Sequence, residues 1–102
     1  MYAVAIAIQP GPAAAPCRID AIAVADILWA NALPQDRLEH IKSGAGPDSG
    51  PAGAGVDIVL FLHAEDLLTA GQCALAVCLR ALGSSPELRN WDLVSLSTNI
   101  LS

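Results

Sequence analysis

One lysine, Lys42, and four arginines carry all the positive side-chain charge in this chain of 102 residues, against ten acids. The formal net charge is −5. Duplex nucleic acid is held mainly by Lys and Arg on its phosphates. Here the bases are scattered and form no patch, so no nucleic-acid partner is expected. An anionic membrane surface is disfavoured for the same reason. Aromatic residues are also scarce, with two Trp, one Tyr and one Phe. The core must therefore come from Leu, Ile and Val, with alanine letting backbones approach. Cysteine is present three times, an odd number without CxxC spacing. That argues against a secreted disulfide framework and for reduced thiols in a cytoplasmic protein.

Other signatures are missing too. The apolar N-terminus has no Lys or Arg before Arg18, so it lacks the charged region of a signal peptide. No segment reads as the ~18 consecutive apolar residues of a membrane span, and a soluble, unprocessed chain is expected. There is no GxSxG, HExxH or EF-hand pattern. The stretch "GAGPDSGPAGAG" at 44–55 has glycines but neither GxGxxG nor GK[ST], and it opens no helix. No cofactor and no metal site are expected.

What remains is a folded-protein composition, 54% hydrophobic, in a length that suits one domain spanning 1–102. Tyr2, Val4, Ile6 and Ile8 alternate with Ala3, Ala5 and Ala7, a strand with a bulky face and a small face. "QPGPAAAP" ends it. Residues 18–32 read as a helix apolar on more than one side. Ile19, Ile22, Trp29 and Leu33 share one side; Val24, Ile27 and Leu28 share the other. Pro34 stops it. Residues 34–43 read either as a short helix begun by Pro34 or as a polar edge strand. The glycine-rich 44–55 reads as a flexible loop, and its position before the strand "VDIVLFLH" favours a hairpin. The clearest helix follows, with a stripe of Leu68, Leu75, Leu79 and Leu82. Acids stand in its expected first turn, and Gly83 just past its expected end. "WDLVSLSTN" is a last strand, with Val94 and Leu96 on one face and Ser95 and Ser97 on the other.

The order strand, helix, strand, strand, helix, strand predicts an α+β fold. It resembles the ferredoxin-like βαββαβ sandwich, a four-stranded antiparallel sheet with two helices on one face. That pattern makes the first and third strands central and the others edges. The polarity agrees, because charged residues fall in the second and fourth strands.

With Val4, Ile6, Ile8, Ile58, Leu60 and Leu62 facing the helices, the bare face shows Ala3, Ala5 and Ala7 beside Asp57, Val59, Phe61 and His63. Periodicity alone does not say which face is bare. A solvated face should read polar, so Val59 and Phe61 over alanines mark an expected interface. A homodimer packed sheet to sheet, as in the dimeric α+β barrels this pattern resembles, is one way to use it. A partner protein is another.

Two groups are weighed as acid–base residues. His63 is followed by Glu65 and Asp66, but acids before a helix serve its dipole without any ligand. If His63 acts, Asp57 on the same side of the strand is its expected neighbour. Asp26 lies within an apolar helix side, where an unpaired carboxylate is costly. A functional acid of shifted pKa stands against a border residue that reaches water. Cys73 and Cys78 point about 140° apart on a helix and cannot share an ion.

The expected function is a small non-catalytic interaction or accessory module, homodimerising through the open sheet face at Ala3, Ala5, Ala7, Val59 and Phe61. The alternative is a small dimeric α+β-barrel-type enzyme or ligand-binding protein for an apolar small molecule, with His63 or Asp26 as the acid–base group.

Overall fold

Strand β1 (Tyr2–Pro10) and strand β3 (Ala54–Leu62) pair antiparallel at the centre of one sheet, with Val4 opposite Leu60 and Ile6 opposite Ile58. Strand β2 (Leu38–Asp48) adds to β3, and strand β4 (Trp91–Ile100) adds to β1. The order is β2-β3-β1-β4. Helices α1 (Ala21–Ala30) and α2 (Leu67–Ser84) complete a βαββαβ order. The computed structural model describes residues 1–13, 19–48 and 54–100.

The helices lie on the expected face. Val4, Ile6, Ile8, Ile58, Leu60 and Leu62 are buried in one cluster with Val24 and Leu28 of α1 and Ala70, Ala74, Val77, Cys78 and Ala81 of α2. Helix α1 covers β2 and β3, and α2 covers β4 and β1. The α+β sandwich read from element order and polarity is thus the fold.

Local boundaries differ from the sequence reading in instructive ways. Helix α1 is shorter than 18–32, because Asp20 caps it by accepting the Ala23 N–H at 2.7 Å. Residues 34–43 serve both proposed roles. Pro34–Asp36 make one 3-10 turn. Arg37, left-handed at φ 53°, then redirects the chain into β2. The expected loop at 44–55 is largely ladder. Gly44 faces Asp57, Ala45 faces Val56 and Asp48 faces Ala54. Gly55 suits that ladder because a β-carbon there would stand 2.6 Å from the carbonyl oxygen of Ile8. The hairpin tip, expected to be flexible, falls at 49–53, outside the described residues.

Helix α2 starts one residue after its acids. Asp66 is the cap and accepts the Thr69 N–H at 2.7 Å, which holds its carboxyl below the usual range. Its contribution to stability is present above the unfolded pKa and is lost as pH falls through the folded value. Gly83 is not the C-cap. The helix runs on to Ser84 and Ser85 caps it. A β-carbon on Gly83 would meet nothing within 4 Å. Gly83→Ala is therefore expected to raise stability by roughly 0.5–1 kcal/mol, the helix preference of alanine over glycine. A urea melt checks this, and a decrease in midpoint would contradict it.

The largest revision concerns which side of α2 faces inward. The inward side is small: Ala70, Ala74, Val77, Cys78 and Ala81. Three leucines of the stripe face outward, with Leu68 71% exposed and Leu79 53% exposed, while Leu82 packs against the edge of the core. Alanine lets the helix lie close on a sheet already filled by Ile and Leu. At Gly71 the approach is closest, since a β-carbon would stand 3.1 Å from Thr98 Oγ1. In α1, read as apolar on two sides, Val24 and Leu28 are the buried pair and Ile22 and Trp29 are exposed. By length and composition α2 is long and apolar enough to cross a membrane, contrary to the expectation that no segment is. In the fold its alanine side is engaged with the sheet.

Candidate functional site

Each polar candidate resolves on local geometry. Asp26 is exposed on α1, so its carboxylate bears no burial cost. His63 leaves the end of β3, where its backbone N–H donates to the Arg37 carbonyl at 3.1 Å. Its Nε2 lies 3.3 Å from Glu39 Oε1, and both side chains are about half exposed. The structure brings His63 to Glu39 rather than to Asp57. Glu39 gains this position from a bulge in β2, where Leu38 faces Leu62 and His40 faces Phe61 with one residue between. A pair this wet contributes little. Among the described residues no three His, Cys, Asp or Glu side chains gather as metal ligands.

The two cysteines within the described residues differ. Cys78 is 1% exposed, and burial pushes its thiol up to about 11. Cys73 is half-buried. Since the thiolate is the nucleophile, iodoacetamide at pH 8 should leave Cys78 unlabelled in the native state and label it in denaturant. Native labelling at a rate comparable with Cys73 would contradict this. A raised thiol pKa stabilises the fold below its unfolded value near 9, and the benefit is lost as pH rises from there through about 11.

Among the described residues the one buried charged side chain has a structural setting. Asp36 is 5% exposed. Its Oδ2 accepts the Leu33 N–H at 2.8 Å and a hydrogen bond from Arg80 Nη2. Arg80 Nε donates to the Asn31 carbonyl at 3.0 Å, and Asn31 Nδ2 donates to the Ile27 carbonyl at 2.8 Å. Ser84 Oγ bonds Asn31 Oδ1 at 2.9 Å. This network ties the end of α1, the 3-10 turn and the last turns of α2 together. Sequence reading missed it, because Arg80 also suits the helix dipole. The only signal was an acid two residues after Pro34, in the first turn of a short helix.

The helix-free sheet face carries the five residues expected to form an interface. Ala3 is buried, and Ala5, Ala7, Val59 and Phe61 are half-buried. They form a narrow apolar strip between polar neighbours. Ser95, Ser97 and Asn99 of β4 lie opposite Ala7, Ala5 and Ala3. His40 and Lys42 of β2 lie opposite Phe61 and Val59. The His40 ring centroid is 5.8 Å from that of Phe61, which covers part of it.

A second apolar surface, with more exposed side chains, lies on the helix side of the sheet. Between α2 and β4 runs a groove of about 590 Å³, lined by Leu67, Leu68, Gly71, Gln72, Leu75, Leu96 and Thr98. Leu79 continues it one turn along α2, and Ile100 continues it along β4. Leu67, Leu68, Leu75, Leu79 and Ile100 are all exposed. The neighbouring Val94 is exposed because β4 bulges there. Ala7 faces Ser95 but Ile8 faces Leu93, so Val94 stands between and does not share the packing of Leu96. Glycine at 71 brings α2 onto Thr98, and β4 as the edge strand leaves the groove's outer side open. None of its described lining residues is charged. Sequence reading found the leucine stripe but assigned no surface to it. The available signal was alanine at 70, 74 and 81, a second face on which α2 packs.

Compared with protein-family models, with curated proteins and with solved structures, the chain matches none.

Proposed function

We propose that this chain is a small non-catalytic interaction module that works by covering its α2–β4 groove with another apolar surface. The observation that supports this is the run of exposed leucines, Leu67, Leu68, Leu75 and Leu79, beside Leu96 and Ile100. Large contiguous apolar patches on soluble domains mark interaction sites. Among the described lining residues the polar side chains are the Gln72 amide and the Thr98 hydroxyl, neither of them an acid–base group at neutral pH. His63 and Asp26 do not line it.

The test is sedimentation velocity together with fluorescence of anilinonaphthalene sulfonate, on the wild type and on Leu68→Glu/Leu75→Glu. The wild type is expected to self-associate, or to bind the dye more than the double variant does. A wild type that does neither sinks the proposal.

A second reading is supported by groove size. Small-molecule sites commonly enclose about 300–1,000 Å³ and are mostly apolar with a few polar groups. The groove meets both conditions, so an apolar ligand is its alternative occupant. Sheet-to-sheet homodimerisation through Val59 and Phe61 rests on half-buried side chains, one of them beside the His40 ring.

A further inference from the structure

The two edges of the sheet differ. Strand β2 carries guards against pairing with a further strand, namely Lys42, Pro47 and register shifts after Leu38 and after Ala45. Strand β4 has one shift, at Val94, and from Ser95 to Ile100 its register with β1 is regular. That stretch holds no Pro, Lys or Arg. Its outer backbone edge borders no other strand among the described residues. The apolar groove runs beside this unguarded edge and not beside the guarded one.

We infer that the occupant of the groove is an extended, cationic segment of another protein, added to the β4 edge as a further strand. The inference rests on the interaction-module reading and names the partner's chemistry. In strand addition the main-chain hydrogen bonds supply affinity, and pockets for alternate side chains supply specificity. Both are present here. Ser95–Ile100 offers an edge about 20 Å long, enough for about six residues. One set of the added side chains joins Leu96, Thr98 and Ile100 on the helix side, where Leu67, Leu68 and Leu75 stand. The other set joins Ser95, Ser97 and Asn99 on the open face. The segment that fits therefore alternates apolar and polar residues. A helix laid in the groove would cover the leucines and leave the backbone edge unpaired.

Charge identifies the partner further. Leu67–Leu79 and Leu93–Ile100 contain no Asp, Glu, Lys or Arg. Leu62 and Ile100 both stand opposite Tyr2, so β3 ends and α2 begins at the Ile100 end of β4. Glu65 and Asp66, both exposed, immediately precede the groove residues Leu67 and Leu68 there. Bases among the described residues lie elsewhere. Arg37 and Lys42 belong to the β2 side, two strands away. Arg80 is tied to Asp36, and Arg89 precedes the far end of β4. An uncharged strip with acids at its end matches an apolar segment that carries Lys or Arg where it passes Glu65. The net charge of −5 draws such a segment in from a distance. A second copy, itself at −5, lacks this match.

The probe is a capped synthetic peptide of alternating Val and Thr with two Lys at each end, titrated calorimetrically into the full chain. A Kd of about 100 μM or tighter is expected. The same peptide with Glu for Lys should bind at least about tenfold more weakly. Hydrogen exchange at alternate amides between Ser95 and Ile100 should slow in the complex, because those amides gain a strand partner. Variants are confirmed folded by circular dichroism. Leu68→Ala should weaken binding by about tenfold through lost apolar contact. Glu65→Lys should weaken it by about 3–10-fold, while Asp26→Lys, the same charge change at an exposed site on α1, should alter it by less than about twofold. Equal binding of the Glu peptide, or equal effects of Glu65→Lys and Asp26→Lys, overturns the cationic partner. Binding without slowed exchange on β4 overturns strand addition. A protein that takes up the dye or self-associates but binds no peptide overturns this inference and leaves the module reading standing. A protein that does none of the three overturns both.

Discussion

Replacing Arg80 with methionine is expected to lower the unfolding free energy by about 2–4 kcal/mol. Breaking a fully buried ion pair by removing one partner typically costs about 3–5 kcal/mol, and the Arg80 side chain is 35% exposed, which moves the figure down. The loss comes chiefly from Asp36, left buried with only the Leu33 N–H to bond. The Asn31 carbonyl also loses its Arg80 donor. Urea denaturation reads the effect, with a lower midpoint and an unchanged slope expected. The double variant Asp36→Leu/Arg80→Met should recover part of the loss, because the uncompensated charge is gone. A single variant as stable as the wild type would show that the network does not hold the two helix ends together.

Leu60→Ala is expected to cost about 3–5 kcal/mol, a transfer term plus the cavity left at a central position. Leu60 has no exposed surface and lies between Val4 on β1 and Ile41 on β2. For a domain of this size each kcal/mol moves Tm by roughly 4–8 °C, so a fall of about 12–40 °C is expected. Leu68→Ala, made in the same helix-and-sheet layer but at a 71% exposed position, should change stability by less than about 0.5 kcal/mol in dilute protein. The contrast tests the packing directly. If Leu68→Ala proved the costlier of the two, α2 would be rotated about its axis relative to the arrangement described here.

These two leucines show how far the chain could be read without its structure. Period two placed Leu60 inside, because a strand has only two faces and its neighbours Ile58 and Leu62 agree. The concentration of charge on the outer strands agreed with their being edges, while the central β1 and β3 carry a single charged residue, Asp57, on the helix-free face. Element order and strand polarity together determined the α+β sandwich, while the face that its helices cover was an expectation that the burial of Val4, Ile6, Ile58 and Leu60 decided.

The helices were harder, for a physical reason. Both α1 and α2 are apolar on two sides, so hydrophobic periodicity finds a stripe without saying which stripe is buried. In α2 the answer depended on space. The sheet beneath it is filled by Ile and Leu, and the helix packs on it through small side chains, Ala70, Ala74, Val77, Cys78 and Ala81. The leucines were left outside, where they form a groove with β4. The Asp36–Arg80 network was hidden for a related reason, since its members are 44 residues apart in sequence. The chain by itself determined which elements form and in what order they pair. Only the tertiary structure decided which apolar side of each helix was buried, because that choice depends on the volume the sheet leaves free.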